Sequence, residues 1–198
     1  GRRKRRWCFR PSASGPRAEH RLVSAVSFAH LLEGKRALIT GASRGLGRAL
    51  CVAFARHGAT VAFNFHRDEE GGARTLALLR EVSTQPHEMH RASVLDADGF
   101  ARLVKAIETS LGGIDILVNN AGVSQPLPLA LMDDDDWDLV MDTNAKGTYI
   151  AARTVLRGMV RRKSGCVLNI GSLAGARLLE APVHYSASKA AVHGFTRA

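Results

Sequence analysis

The sequence predicts an α/β domain built as a doubly wound parallel sheet, running from residue 34 to residue 198. Three observations predict it. Short apolar runs alternate with amphipathic segments along that whole stretch. The runs are apolar at successive positions, as in strands covered on both faces. The first run ends in a glycine-rich turn that opens directly into helical periodicity.

Ala37-Leu38-Ile39-Thr40 reads as the first strand. Leu46, Ala49, Leu50, Ala53 and Phe54 then fall on one helical face, and His57-Gly58 stops the helix. Thr60 to Phe65 reads as the second strand, followed by a helix over 72–82 and a third short strand reaching Val94. Asp96 is placed to cap a helix that runs to Leu111. Ile114 to Val118 and Cys166 to Ile170 read as the fourth and fifth strands, with one long helical stretch from Asp133 to Arg162 between them and a last helix over 185–198.

With 198 residues, 45% of them hydrophobic and 23% charged, the chain suits one soluble domain with a real core. No apolar run approaches the roughly 20 residues of a membrane span. The formal charge of +10 is unevenly placed: residues 1–36 hold ten Lys and Arg against Glu19 and Glu33, and the remainder is nearly balanced. Residues 1–33 therefore read as a basic, disordered extension rather than as a charged face of the domain. An Arg-rich, acid-poor leader is also compatible with an organelle transit peptide or with nucleic-acid binding; the domain itself suggests no nucleic-acid and no membrane partner. Cys8, Cys51 and Cys166 make neither a metal spacing nor a disulfide framework. They point to a reducing compartment, the cytoplasm, with an organelle as the alternative, and Cys51 and Cys166 read as buried small hydrophobes.

Thr40-Gly41-Ala42-Ser43-Arg44-Gly45-Leu46-Gly47 joins the first strand to the first helix. Glycines let the backbone turn tightly and approach a pyrophosphate, and the amides at the helix start face it. This is the Rossmann-type arrangement for a dinucleotide, with the spacing G-x-x-x-G-x-G. After the second strand the chain reads Asn64-Phe65-His66-Arg67, with no acid before Asp68. Arg44 and Arg67 suit the extra phosphate of NADPH, so NADP(H) is the expected cofactor. Farther on, Tyr185 and Lys189 share a helix face at i and i+4, where an ammonium stabilises a phenolate and fits the phenol for acid/base work. Ser172 follows the fifth strand, placed to hold a substrate oxygen.

Thr40–Gly47, Asn119-Asn120-Ala121-Gly122, Asn144, Ser172 and Tyr185 with Lys189 together resemble the classical short-chain dehydrogenase/reductase family, and most nearly its 3-oxoacyl-[acyl-carrier-protein] reductase-like members. The resemblance implies a hydride-transferring oxidoreductase acting on a small-molecule or carrier-bound ketone. It implies Tyr185 as proton donor, Lys189 as its activator and a ribose ligand, Ser172 on the substrate oxygen, and Asn144 holding a water in the proton relay. It implies cofactor contacts at Gly41, Ser43, Arg44, Gly45, Leu46, Gly47, Arg67, Ser93, Val94, Asn120, Ala121, Gly122, Tyr185 and Lys189, with Asn119 supporting the sheet. The family often has Asp where Ser93 stands. A basic residue at the Lys163 position implies a contact with an acidic carrier, and the family pattern implies a homodimer or homotetramer. It also implies further strands after Ala198, so the domain is expected to be C-terminally truncated. The other reading is a non-catalytic NADPH-binding or regulatory protein, or an inactive fragment.

Two remaining features have simpler readings. Asp133 to Asp136 resembles a metal site but precedes a helix, where carboxylates cap, so no metal is expected. His184 adjoins Tyr185 and reads as a pocket-lining residue without a catalytic role.

Overall fold

The computed structural model describes residues 30–198. The basic block and the disordered-extension reading for its first 29 residues, including Cys8, lie outside the described residues. The elements alternate: β1 (Arg36–Ile39), α1 (Gly45–Arg56), β2 (Thr60–Phe65), α2 (Glu69–Val82), β3 (Glu88–Arg91), α3 (Ala97–Leu111), β4 (Ile116–Asn119), α4 (Asp134–Met141), α5 (Gly147–Arg162), β5 (Cys166–Asn169) and α6 (Val183–Arg197). The strands form one parallel sheet in the order β3-β2-β1-β4-β5. The chain winds outward from β1 through β2 to β3, then crosses back to lay β4 on the other side of β1. The doubly wound parallel architecture expected from the sequence is therefore the observed one.

Strand pleating divides the core. Leu38, Ala62 and Leu117 face a cluster with Phe100, Val104 and Ile107 of α3 and Ala151, Val155 and Met159 of α5. Their neighbours Ile39, Val61, Phe63 and Val118 face a second cluster with Cys51 and Ala55 of α1 and Leu79 of α2. Each such fully buried aliphatic or aromatic side chain contributes about 1.5–3 kcal/mol. The start of the sheet is pinned by Arg36, whose guanidinium donates to both Asp115 oxygens at 2.8 and 2.7 Å. That guanidinium holds the Asp115 carboxyl well below its ordinary range.

Several sequence expectations shift. The third strand ends at Arg91, and Val94 lies beyond it in a turn, buried and close against Gly147. The residues Glu88-Met-His-Arg are half exposed because β3 lies at a sheet edge, so its pattern is not apolar. The long helical stretch is interrupted: a π turn at Asp142–Lys146 separates α4 from α5. Cys51 is buried, and burial pushes its thiol above the usual range. Cys166, expected to be buried, is exposed, because β5 is the outermost strand and none of the described elements covers its outer side. Asp133 and Asp136 form the expected cap, each side chain accepting the other's amide. Among the described residues, no helix is long and apolar enough to cross a membrane.

His87 carries a pH dependence. Its Nδ1 accepts the Val61 amide at 3.0 Å just before β3, and burial lowers its pKa from 6.5. The unfolded chain then binds a proton that the folded chain refuses. Its contribution is present above pH 6.5 and is lost as pH falls from there toward the lower folded value. Urea midpoints at pH 7.5 and 5.5 should differ more for the wild type than for His87→Asn, which keeps an acceptor but does not titrate. Equal differences would show that His87 does not set this dependence.

Candidate functional site

The strand order reverses between β1 and β4, and at their C-terminal ends the chain leaves in opposite directions. A crevice of about 770 Å³ opens there, where open α/β sheets bind ligands. Its walls include Gly41, Ser43, Arg44, Leu46 and Gly47 from the β1–α1 turn, Arg67 after β2, Ser93 and Val94 after β3, and Asn120, Ala121 and Gly122 after β4. These walls are among the cofactor contacts expected from the sequence; of that set Gly45, Tyr185 and Lys189 do not line the crevice. Gly45 opens α1 at φ +57, with nothing within 4 Å of where a Cβ would stand.

The turn is held from behind. The Thr40 hydroxyl accepts the amides of Asn120 and Ala121, each at 3.0 Å, and the Asn120 carboxamide donates to the carbonyls of Thr40 and Gly41 at 2.8 and 3.0 Å. Gly41 donates to Asn64 Oδ1 at 3.3 Å, while Asn64 Nδ2 donates to Ala92 at 2.8 Å. A Cβ at Gly47 would stand 2.6 Å from both the Asn120 carboxamide and the Gly41 carbonyl, so only glycine permits this approach. Arg48 donates to the Ser43 carbonyl, to Gly71 at 3.1 Å and to the Thr75 hydroxyl at 2.9 Å, tying the turn to α2. Asn119 instead donates to Asn169 Oδ1 at 2.8 Å, within the sheet.

α1 begins without a side-chain cap and without an acid in its first turn. Its amino end is therefore a positive, unshielded terminus facing the crevice, suited to a diphosphate. Arg44 and Arg67 stand exposed at the crevice wall, with Asp68 beside them. The Asp68 carboxyl is lowered by the Gly71 amide, then by the Ser43 hydroxyl, with Arg44 and Arg48 adding to the effect. It is already engaged as the α2 cap.

Tyr185, Lys189 and Ser172 are not walls of this crevice; they gather at the same sheet edge, past the end of β5. Lys189 is buried, and its ammonium donates to the Ile170 carbonyl at 2.7 Å and lies 5.8 Å from the centre of the Tyr185 ring. Burial lowers its pKa from 10.5. The Ser172 turn sits against α6 so closely that a Cβ at Gly175 would overlap the backbone of Lys189 and Ala190. The Ser172 oxygen accepts the Ala174 amide at 3.2 Å, leaving its hydrogen free to donate.

Asn144 joins the two halves of the site from the π turn. Its carboxamide accepts from the Val123 amide at 2.8 Å and donates to the Val123 carbonyl at 2.9 Å and to Ser188 Oγ at 2.9 Å. Ser188 in turn donates to the Tyr185 carbonyl at 2.7 Å. Val123 is a crevice wall, so this chain links cofactor-side loop and α6. Thr40, Arg48, Asn64 and Ser188 were missed as site residues in the sequence. Only Ser188 carried a usable signal, standing four residues past His184 and inside the Tyr-Lys turn. His184 is not a pocket-lining residue: it is fully buried.

A family model described as short chain dehydrogenase matches residues 35–198. Among curated proteins the chain is 39% identical over 166 residues to the 3-oxoacyl-[acyl-carrier-protein] reductase FabG of Vibrio harveyi, covering 84% of this chain and 66% of that protein. It is 35% identical over 165 residues to the FabG of Staphylococcus aureus, covering 82% and 66%. The chain thus spans 66% of the length of these curated relatives. Among solved structures, a putative short-chain alcohol dehydrogenase from Sinorhizobium meliloti superposes with a TM-score of 0.79 at 38% identity, over 86% of this chain and 66% of that one. A short chain dehydrogenase from Mycobacterium paratuberculosis bound to NAD superposes with a TM-score of 0.80 at 30% identity, over 84% and 66%. The family match over residues 35–198 and these likenesses show that the chain belongs to the short-chain dehydrogenase family.

Proposed function

We propose that the chain carries NADPH-dependent carbonyl reduction, with a 3-oxoacyl thioester or a related ketone as substrate. The observation that carries this reading is the buried Lys189 ammonium beside the Tyr185 ring, at the same sheet edge as a glycine turn with an uncapped helix start. The residues fit a dinucleotide. The α1 amides and Gly45 would receive the diphosphate, Arg44 and Arg67 the extra phosphate, and Ser93 and Val94 the adenine side, with Asn120, Ala121 and Gly122 along the opposite wall.

When bound, the dinucleotide supplies a hydride to the carbonyl carbon. Tyr185 hands its phenolic proton to the carbonyl oxygen as that oxygen becomes an alkoxide. The Lys189 ammonium, short of solvent and bonded to the Ile170 carbonyl, stabilises the phenolate left behind and would hold the nicotinamide ribose when the dinucleotide is bound. Ser172 donates to the same substrate oxygen. Asn144 keeps α6 and the Val123 segment in register, and a relay through its π turn would return the proton to Tyr185.

Exposed Leu129, Leu131, Leu173, Leu178 and Leu179 on the loops before α4 and α6 support an apolar substrate chain. The FabG name of the curated relatives supports a carrier-bound acyl group, which exposed Lys163 would help to dock. Tyr149, Leu156 and Val160, exposed along α5, support assembly as a homodimer or homotetramer. Free Cys51 and Cys166 accord with a reducing, cytoplasmic setting. The test is NADPH consumption, followed by its absorbance, with a short 3-oxoacyl thioester. Turnover is expected; tight NADPH binding without turnover on any ketone would favour the non-catalytic reading.

A further inference from the structure

The start of α6 lacks the usual device for a helix start. Its N-cap is Pro182, which has no side-chain acceptor, and Val183, His184 and Tyr185 are the first three helical residues. The first bond along the helix runs from the Ser186 amide to the Pro182 carbonyl at 2.9 Å. An N-cap oxygen would ordinarily accept the third amide, that of Tyr185. Here the acceptor is the side chain of His184, whose Nδ1 takes the Tyr185 amide at 3.0 Å.

That bond fixes the state of the ring. A nitrogen that accepts carries no hydrogen, so Nδ1 is the acceptor and the ring hydrogen stands on Nε2. The ring is 0% exposed, and Nε2 finds no partner among the described residues. A leucine would fill the same volume without burying a bare polar atom, but it would leave the Tyr185 amide unmatched. The unpaired nitrogen is thus the cost of the acceptor that serves Tyr185.

We propose that His184 is a positioning residue for Tyr185: its ring takes up the Tyr185 amide in the first turn of α6, in place of an N-cap oxygen, and so sets the direction of the Tyr185 side chain relative to Lys189. The proposal rests on the reading of Tyr185 as proton donor, but the hydrogen bond can be tested without it.

Asn and Gln separate the two ring nitrogens: Asn places an oxygen near Nδ1, and Gln places its carboxamide near Nε2. The chain has two tyrosines, Tyr149 and Tyr185, so labelling tyrosine with 15N yields two amide signals, Tyr149 serving as internal control. In the His184→Gln chain, the Tyr185 amide should exchange with solvent at least about tenfold faster while Tyr149 is unchanged. His184→Asn should restore the wild-type rate. In parallel, kcat for ketone reduction should fall about ten- to a hundredfold in His184→Gln, with KM for NADPH within about twofold, and recover in His184→Asn.

An unchanged Tyr185 amide in His184→Gln overturns the proposal, as does altered exchange with wild-type kcat. Should His184→Gln fail to fold, His184→Asn alone decides: loss of protection or of kcat there contradicts a role vested in Nδ1. Tyrosine amides that respond as expected in a protein without any ketone turnover would instead overturn the reading of function, leaving the hydrogen bond established.

Discussion

Tyr185→Phe is expected to lower kcat by about three orders of magnitude and leave NADPH binding within about twofold. Removing a positioned general acid typically costs about 10²–10⁴ in rate. The phenol oxygen makes no hydrogen bond among the described residues, while the ring stands half-buried beside Lys189. Losing that oxygen therefore removes chemistry without removing packing, and the melting temperature should be nearly unchanged. The crevice walls do not include Tyr185, so cofactor fluorescence should titrate as in the wild type. Single-turnover rates and NADPH fluorescence measured on one preparation separate the two effects. A variant that turns over near the wild-type rate would remove Tyr185 from the mechanism.

The second large effect concerns cofactor choice. Replacing Arg44 and Arg67 together by Ala should raise KM for NADPH about ten- to a hundredfold and change KM for NADH by less than about threefold. A charge-assisted hydrogen bond contributes about 1.5–3 kcal/mol, and only NADPH has the phosphate that would receive it. Both guanidinium groups are exposed at the crevice and neither forms an ion pair among the described residues, so neither has a structural duty to confuse the result. Asp68, the nearest acid, is turned to the α2 amide and the Ser43 hydroxyl. Raising the salt concentration should weaken NADPH more than NADH. A wild-type preference for NADH would overturn the assignment, and the NAD-bound relative makes that comparison a necessary one.

The legible parts of this fold were those whose local chemistry and tertiary fate agree. Thr60–Phe65 is mostly apolar, lies between Gly58 and His66, and is a strand buried from Val61 to Phe65. Asp96 precedes an amphipathic run and caps it through the Gly99 amide at 2.9 Å. The glycine turn was legible because its spacing already encodes a close backbone approach. β3 was placed too far along because an edge strand does not need an apolar pattern, and buried Val94 resembled its end. The π turn is not legible in Asp142 to Lys146, whose residues read as helix; it shows in the backbone, where the Gly147 amide donates to the Asp142 carbonyl. Apart from the Arg48 bond to Ser43, Thr40, Asn64 and Arg48 act through partners 23 to 81 residues away, and a single sequence does not show such pairings.

The π turn also limits how this site can vary. Each helical residue advances the phase by about 100°. One residue more or fewer between Asp142 and Lys146 would swing α5, which packs on α3 and β4, through that angle relative to α4, which rests on α6. Point changes cannot make that adjustment in small steps. The relative bearing of the two halves behaves as a ratchet with one setting, and length variation in this stretch would be read as a different enzyme geometry rather than as a tuned one.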